Sequence, residues 1–321
     1  MGDNVAAGSK KVIYAALAGN LLIAITKFAA ALYTGSSAML SEGVHSLVDT
    51  GNGGLLLYGM RRATLPPDKQ FPFGHGKEIY FWSFVVALLV FSLGAGVSMF
   101  EGVQHLRQPN EIESPFVNYV VLVLSLLFEG GSWAIAVKEF RAKKGGRGYL
   151  EAVELGKDPT TFAVLLEDSA ALIGLVVALV GVTLSRLTGN PLYDGAASIV
   201  IGLILAGTAL LLAKETKGLL IGESANQEVV EGIRKLIQQI PEVYKVNEIL
   251  TMHIGPDFVL VNISLMISAA TERARVHEVF DYIDERIKAR YPIIQRVFIE
   301  SETAIGRKPG HAASGGAPGT G

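Results

Sequence analysis

Ser41-Glu42-Gly43-Val44-His45-Ser46-Leu47-Val48-Asp49-Thr50-Gly51-Asn52 lies within residues 38–60, a run otherwise dominated by apolar and small side chains. Ser41, His45, Asp49 and Asn52 recur at i, i+4, i+8 and i+11, a spacing that stacks them on one stripe of a helix. Runs of similar length, each close to the ~20 residues that cross a bilayer, occupy 12–33, 80–103, 116–137, 161–187 and 194–213. The stripe therefore reads as the polar face of the second of six spanning helices. In lipid an ionisable side chain is costly unless it faces a bundle interior or water, so this stripe is where function is to be sought.

Composition agrees. Of 321 residues, 50% are hydrophobic and only 18% charged, below the quarter typical of soluble domains. The formal net charge of −2 offers no basic excess for a nucleic-acid backbone. With no cysteine, disulfides, thiolate metal sites and cysteine nucleophiles are excluded, and any metal must be held by nitrogen and oxygen. The first run is too long for a secretory h-region and lacks a small-residue cleavage site, so it reads as a span.

Lysine and arginine fall on alternate connections. Lys10 and Lys11 precede the first span. Arg61, Arg62, Lys69 and Lys77 follow the second, and Lys138, Arg141, Lys143, Lys144, Arg147 and Lys157 follow the fourth, whereas the other connections hold only Arg107 and Arg186. Since cytoplasmic segments retain positive charge, both termini are expected in the cytoplasm. The chain thus divides into a cytoplasmic head (1–10), a six-helix transmembrane domain (11–220), a cytoplasmic C-terminal domain (221–305) and a tail (306–321) rich in Gly, Ala and Pro that is expected to be disordered.

In the C-terminal domain, Val229, Ile233, Leu236, Ile237 and Ile240 follow a helical period up to Pro241. Strand-like 243–253 and 258–267 flank the turn Gly255-Pro256-Asp257. A second helix is predicted over 272–291 and a last strand over 293–300. The expectation is a small α+β domain of order α-β-β-α-β, ferredoxin-like, whose thin core favours self-association into a homodimer.

Few other ionisable residues lie within the runs. Glu167 and Asp168 are consecutive, so they point ~100° apart on a helix, and only Asp168 shares the face of Val164 and Ala171. Glu167 then swings in as another ligand, accepts protons beside the ligands, or faces a neighbouring helix. Glu129 reads as a proton relay or a pathway lining, against a helix-packing hydrogen bond beside Gly130 and Gly131. Lys27 and Glu101 are expected to reach the interface by their long side chains. Gly94, Ser98 and Gly102, like Ser198, Gly202 and Ala206, form ridges that let helices approach closely. His45 and Asp49, one turn apart, can share a cation, and imidazole with carboxylate suits zinc, iron or manganese. The structural alternative is a plain His45–Asp49 hydrogen bond.

Six spans, His45-x3-Asp49, an acid in the fifth span and a cytoplasmic α-β-β-α-β domain together resemble the cation diffusion facilitator family. Ser41 to Asn52 and the loop Phe71-Pro72-Phe73-Gly74-His75-Gly76-Lys77-Glu78 carry the likeness. Glu167-Asp168-Ser169-Ala170-Ala171 and Leu250-Thr251-Met252-His253-Ile254-Gly255-Pro256 resemble the branch that includes zinc transporter nine. The resemblance implies a homodimeric antiporter that exports a divalent cation from the cytoplasm in exchange for protons. It also implies transport-site ligands His45, Asp49 and Asp168, with Glu167 as a further ligand, and alternating access. Zinc is the first expectation, with manganese and iron as alternatives, and no catalytic cofactor is implied. An imidazole with a pKa of about 6.5 can release a proton to take metal and regain it at physiological pH.

Three departures stand out. The histidine that the family usually places one turn before the fifth-span acid is Val164, and Glu167, Asn52 or water must fill the gap, making the site richer in oxygen. The loop site keeps Asp68 and His75 but has Phe71 where a histidine is frequent. In the soluble domain Asn247, Ile263 and Glu300 replace metal-binding histidines, leaving His253 and Glu300, with His277, Asp257 and Glu302, as scattered donors; His277 falls on the polar side of its helix. The fourth connection lacks the histidine-rich stretch of several vesicular relatives, which points to a bacterial plasma membrane. An intramembrane hydrolase is disfavoured, since there is no His-Glu-x-x-His and the only Gly-Asp is Gly2-Asp3. The remaining alternative is a membrane-anchored scaffold without transport activity.

Overall fold

A computed structural model describes residues 2–34, 37–108, 115–144, 146, 148, 152 and 156–303; the side chains of 2–9, 31, 33–34, 37–45, 115, 143, 273 and 302–303 lie outside that description, as does the tail 306–321. The chain divides into two units. One comprises residues 1–223 with the turn Ile254–Asp257, and the other comprises 224–253 and 258–321.

The first unit is helical. α1 (Gly2–Thr34) begins well before the apolar run, so the head continues the first span as helix. α2 (Ser37–Ala63) carries the polar stripe. α3 (Glu78–Leu89) and α4 (Gly96–Arg107) form one continuous rod interrupted by a wider π turn over Val90–Ala95. α5 (Pro115–Lys144), α6 (Pro159–Thr188) and α7 (Leu192–Ile221) complete the bundle. Among the described residues five helical stretches are long and apolar enough to cross a membrane: Lys10–Ala30, Glu78–Arg107, Phe116–Ala142, Pro159–Thr188 and Leu192–Ile221. α2 packs between α1 and α3 in the same unit. The helices close a ring in which α1 meets α2 and α5, α5 meets α6, α6 meets α7, and α7 meets α3 and α4.

Local chemistry sets the helix that carries the paired acids. Asp158 caps α6, its carboxylate accepting from the Thr160 amide at 3.2 Å and from the hydroxyls of Thr160 and Thr161 at 2.6 and 2.9 Å. Pro159 occupies the first turn, where its missing N–H costs nothing, and Gly189 ends the helix at φ 67°, a left-handed conformation that glycine adopts without strain. Small residues then set the contact between α4 and α7. A Cβ on Gly102 would meet the backbone N of Ile199 at 2.8 Å and the carbonyl O of Gly195 at 2.9 Å. Backbone cannot yield as a flexible side chain can, so the small-residue ridge read from the sequence is a point of close helix approach.

The second unit has the order α8 (Gln227–Gln238), β1 (Val243–Gly255), β2 (Phe258–Ile267), α9 (Arg273–Arg290), β3 (Ile294–Thr303). Its three strands lie in the order β1-β2-β3, with β2 and β3 parallel and joined through α9. Strand β2 alternates as its sequence demands: Val259, Val261, Ile263, Leu265 and Ile267 are buried with Ile233, Ile237, Ile283 and Ile287 from the helices. This is the α-β-β-α-β order expected from the periodicities. The last strand runs three residues further than 293–300, because β2 still offers partners as far as Ile267↔Thr303.

Candidate functional site

Ser41, His45, Asp49 and Asn52 all fall on the single helix α2, as their spacing requires. The side chains of Ser41 and His45 lie outside the described residues. Asp49 is half-buried. Asn52 is 2% exposed, and its Nδ2 donates to Glu167 Oε1 at 3.2 Å, joining α2 to α6 across 115 residues of sequence. Beside Glu167, Asp168 is 3% exposed and accepts a hydrogen bond from Ser132 Oγ at 2.7 Å, which joins α6 to α5. Trp133, next on α5, donates from Nε1 to Ser169 Oγ at 2.9 Å. Two consecutive acids on α6 are thus tied to two different helices, the arrangement that their ~100° divergence permits.

Glu129, one turn before Ser132 on α5, is buried. It is near enough to Asp49 and Asp168 for their charges to repel, and Lys27 offsets them from α1. Asp49 likewise acts on both Glu167 and Asp168. Lys27 differs from expectation. Rather than reaching the interface it is 7% exposed, and its Nζ donates to Ser46 Oγ at 2.9 Å. The physical reason is the neighbouring acids, which make a buried ammonium favourable where an isolated one would be expelled. Sequence reading gave Ser132 and Ser46 no role and sent Lys27 to the interface, although Lys27 carried a signal, a cation inside an apolar span opposite a run of acids. Val164, at the place of the absent histidine, is an apolar core residue at 2% exposure. Among the described residues no three His, Asp or Glu side chains converge closely enough to hold a metal.

On the loop after α2, Asp68 Oδ1 accepts from the amides of Gln70 and Phe71 at 2.8 and 2.7 Å, and its Oδ2 lies 3.0 Å from His75 Nε2. These bonds, the Phe71 amide first and the His75 side chain next, hold the Asp68 carboxyl below the ordinary carboxylate range. The Phe71 ring packs against the His75 ring at a 50° tilt, with centroids 4.6 Å apart. The structure therefore brings Asp68 and His75 together, with an aromatic ring in the third place. In the soluble unit, His253 is buried two residues before the end of β1, whereas Glu300 is exposed on β3 opposite Ser264, six residues into β2. β1 and β3 lie on either side of β2, ~10 Å apart across the sheet, so it does not unite them. His277 is exposed on α9, and the Glu302 side chain lies outside the described residues.

Residues 13–221 match the model of the cation efflux transmembrane domain, and residues 225–304 match the cation efflux protein cytoplasmic domain. The chain belongs to the cation efflux, or cation diffusion facilitator, family. It is 36% identical over 250 residues to the human proton-coupled zinc antiporter SLC30A9, mitochondrial, an alignment spanning 77% of this chain and 44% of that protein. Metal tolerance protein C4 of Arabidopsis thaliana is 32% identical over 77% of this chain and 55% of its own length. The manganese efflux system protein MneP of Bacillus subtilis is 23% identical over 91% of this chain and 95% of its own. The chain spans about half the length of the first two relatives. Within the family it resembles the zinc transporter nine branch, and its apolar helices make it an integral membrane protein.

Proposed function

We propose that this protein carries a divalent cation out of the cytoplasm in exchange for protons, by alternating access at a site formed by His45, Asp49 and Asp168, with Glu167 as a further acid of the same cradle. The observation that carries the reading is the pair of bonds Asn52–Glu167 and Ser132–Asp168, by which α2 and α5 meet two consecutive acids on α6, Asp168 buried and Glu167 half-buried. Buried carboxylates are retained in a membrane bundle only at high cost. A divalent cation compensates them when bound, and protons compensate them when it leaves. Glu129, within electrostatic reach of Asp49 and Asp168, is assigned to proton movement toward the site.

Zinc is the first ion proposed, because the human relative is named a zinc antiporter, with manganese and iron next because Val164 withholds a ring nitrogen. The soluble domain is assigned to pairing two copies. Leu250 and Phe298 are 53% and 51% exposed on its strands, and Phe298 lies beside Asn262 on the sheet face opposite the buried one. The membrane proposed is a bacterial plasma membrane with both termini cytoplasmic, on the distribution of Lys and Arg and the histidine-free fourth connection. Asp68 and His75 are assigned to ordering their loop.

The test is flux into liposomes holding the purified full chain, with an acidic lumen so that protons leaving drive metal in. Zinc, manganese, iron(II) and cobalt are followed beside Asp49→Ala. Uptake that depends on the pH gradient and disappears in the variant is expected. Uptake of no metal by folded protein would move the assignment to a membrane-anchored scaffold.

A further inference from the structure

Asn52 presents an unbalanced amide. Its side chain is 2% exposed and its Nδ2 donates to Glu167 Oε1, yet its Oδ1 is buried and accepts no hydrogen bond among the described residues. A buried carbonyl oxygen left without a partner forfeits its hydration, and such an orphan is uncommon in a folded protein. In the structure the NH2 end faces Glu167 and the oxygen points elsewhere. Asn52 stands three residues after Asp49 on the same helix face, and Glu167 immediately precedes Asp168. The orphan oxygen therefore belongs to the junction of α2 and α6, where the two transport acids are delivered.

We infer that the carboxamide oxygen of Asn52 is a ligand of the transported divalent cation, filling the place left by Val164, and that Glu167 holds the amide in position rather than binding the ion. This rests on the transport-site reading given above. Charge is consistent with it: His45 neutral, Asp49, Asp168 and a neutral amide sum to −2, matching a divalent cation. Geometry favours it too, since Glu167 is already engaged by the Asn52 amide at 3.2 Å. A set of three oxygens and one nitrogen is harder than the usual mixed set and accommodates manganese and iron(II) beside zinc.

The test uses the full chain in detergent, with zinc and manganese affinities measured by competition against a fluorescent chelator and the absorption bands of bound cobalt(II) recorded. Asn52→Leu is expected to lower affinity by at least about tenfold, since loss of a mere supporting partner already costs that much. It is also expected to change the cobalt bands. Asn52→Asp, which keeps an oxygen in place, should still bind. Glu167→Gln, whose carbonyl can still accept from the amide, should lower affinity less than Asn52→Leu and leave the cobalt bands in place. Asn52→His should raise the preference for zinc over manganese by at least about tenfold, a change that a packing role would not produce.

Wild-type affinity in Asn52→Leu, or an unchanged ion preference in Asn52→His, would overturn the assignment. So would a cobalt spectrum altered by Glu167→Gln and not by Asn52→Leu, which would make Glu167 the ligand. Where Asn52→Leu fails to fold, the histidine variant decides. Asp49→Ala and Asp168→Asn serve as separate controls, and retained binding in both would overturn the transport-site reading itself.

Discussion

The membrane bundle and the soluble domain handle polar residues in opposite ways. In the bundle, Lys27, Asn52, Glu129, Ser132 and Asp168 are buried, and hydrogen bonds of four of them run from helix to helix: Lys27 to Ser46, Asn52 to Glu167, Ser132 to Asp168. In the soluble domain the core is aliphatic, built from Ile233, Ile237, Val261, Ile263, Leu265 and Ile283; His253 is buried as an exception, while Glu300 and His277 face solvent. The same residue types thus carry different weight. Where water is absent an acid must be compensated, so its position reports chemistry; where water is at hand it reports little.

The largest expected effect sets the two regions directly against each other. Asp168→Ala should reduce proton-driven metal flux by at least about 100-fold, the upper end of what losing a supporting partner costs, whereas Glu300→Ala should leave flux unchanged. Liposome uptake at equal protein content decides, and comparable losses would erase the contrast. Next comes the aliphatic core. Ile283→Ala, fully buried in the soluble domain, should cost that domain about 2–5 kcal/mol. Calorimetry on the full chain should show its transition move while metal affinity at the membrane site holds.

Smaller again is overpacking of the bundle. Gly102→Val drives side-chain atoms against the backbone of Ile199 and Gly195 and should cost about 1–3 kcal/mol, read as a lower midpoint for heat-induced aggregation in detergent. An unchanged midpoint would mean that α4 and α7 can separate freely.

The smallest effect concerns the loop. Asp68 is exposed and its carboxyl is held below the usual range by the Phe71 amide and His75. A lowered folded pKa contributes order above the unfolded value, near 4, and loses it only as pH falls through the lower folded value. Trypsin cleavage at Lys69 should therefore stay slow through mildly acidic solution, while Asp68→Asn should speed it already at neutral pH. Equal rates would show that Asp68 does not order the loop.

Much of this organisation is written locally and could be read from the chain. The stripe on α2 follows from spacing along one helix, the alternation of β2 from period two, and the Asp158-Pro159 start and Gly189 end of α6 from the preferences of helix termini. What escaped reading depends on residues far apart in sequence. The Asn52–Glu167 bond spans 115 residues, and the burial of Lys27 depends on acids from other helices. Periodicity assigns a face to each residue but not a neighbour. The π turn at Val90–Ala95 also has no local signature, since an apolar run reads the same at either pitch.

The most direct test of the central claim is to follow both ions at once in vesicles containing the full chain, with a pH-sensitive dye and a zinc indicator in the lumen. An imposed inward zinc gradient should acidify the outside as the lumen turns alkaline in wild type, and Asp49→Ala should abolish both signals together. Zinc entry without proton movement, or zinc entry that survives Asp49→Ala, would contradict metal–proton exchange at this site.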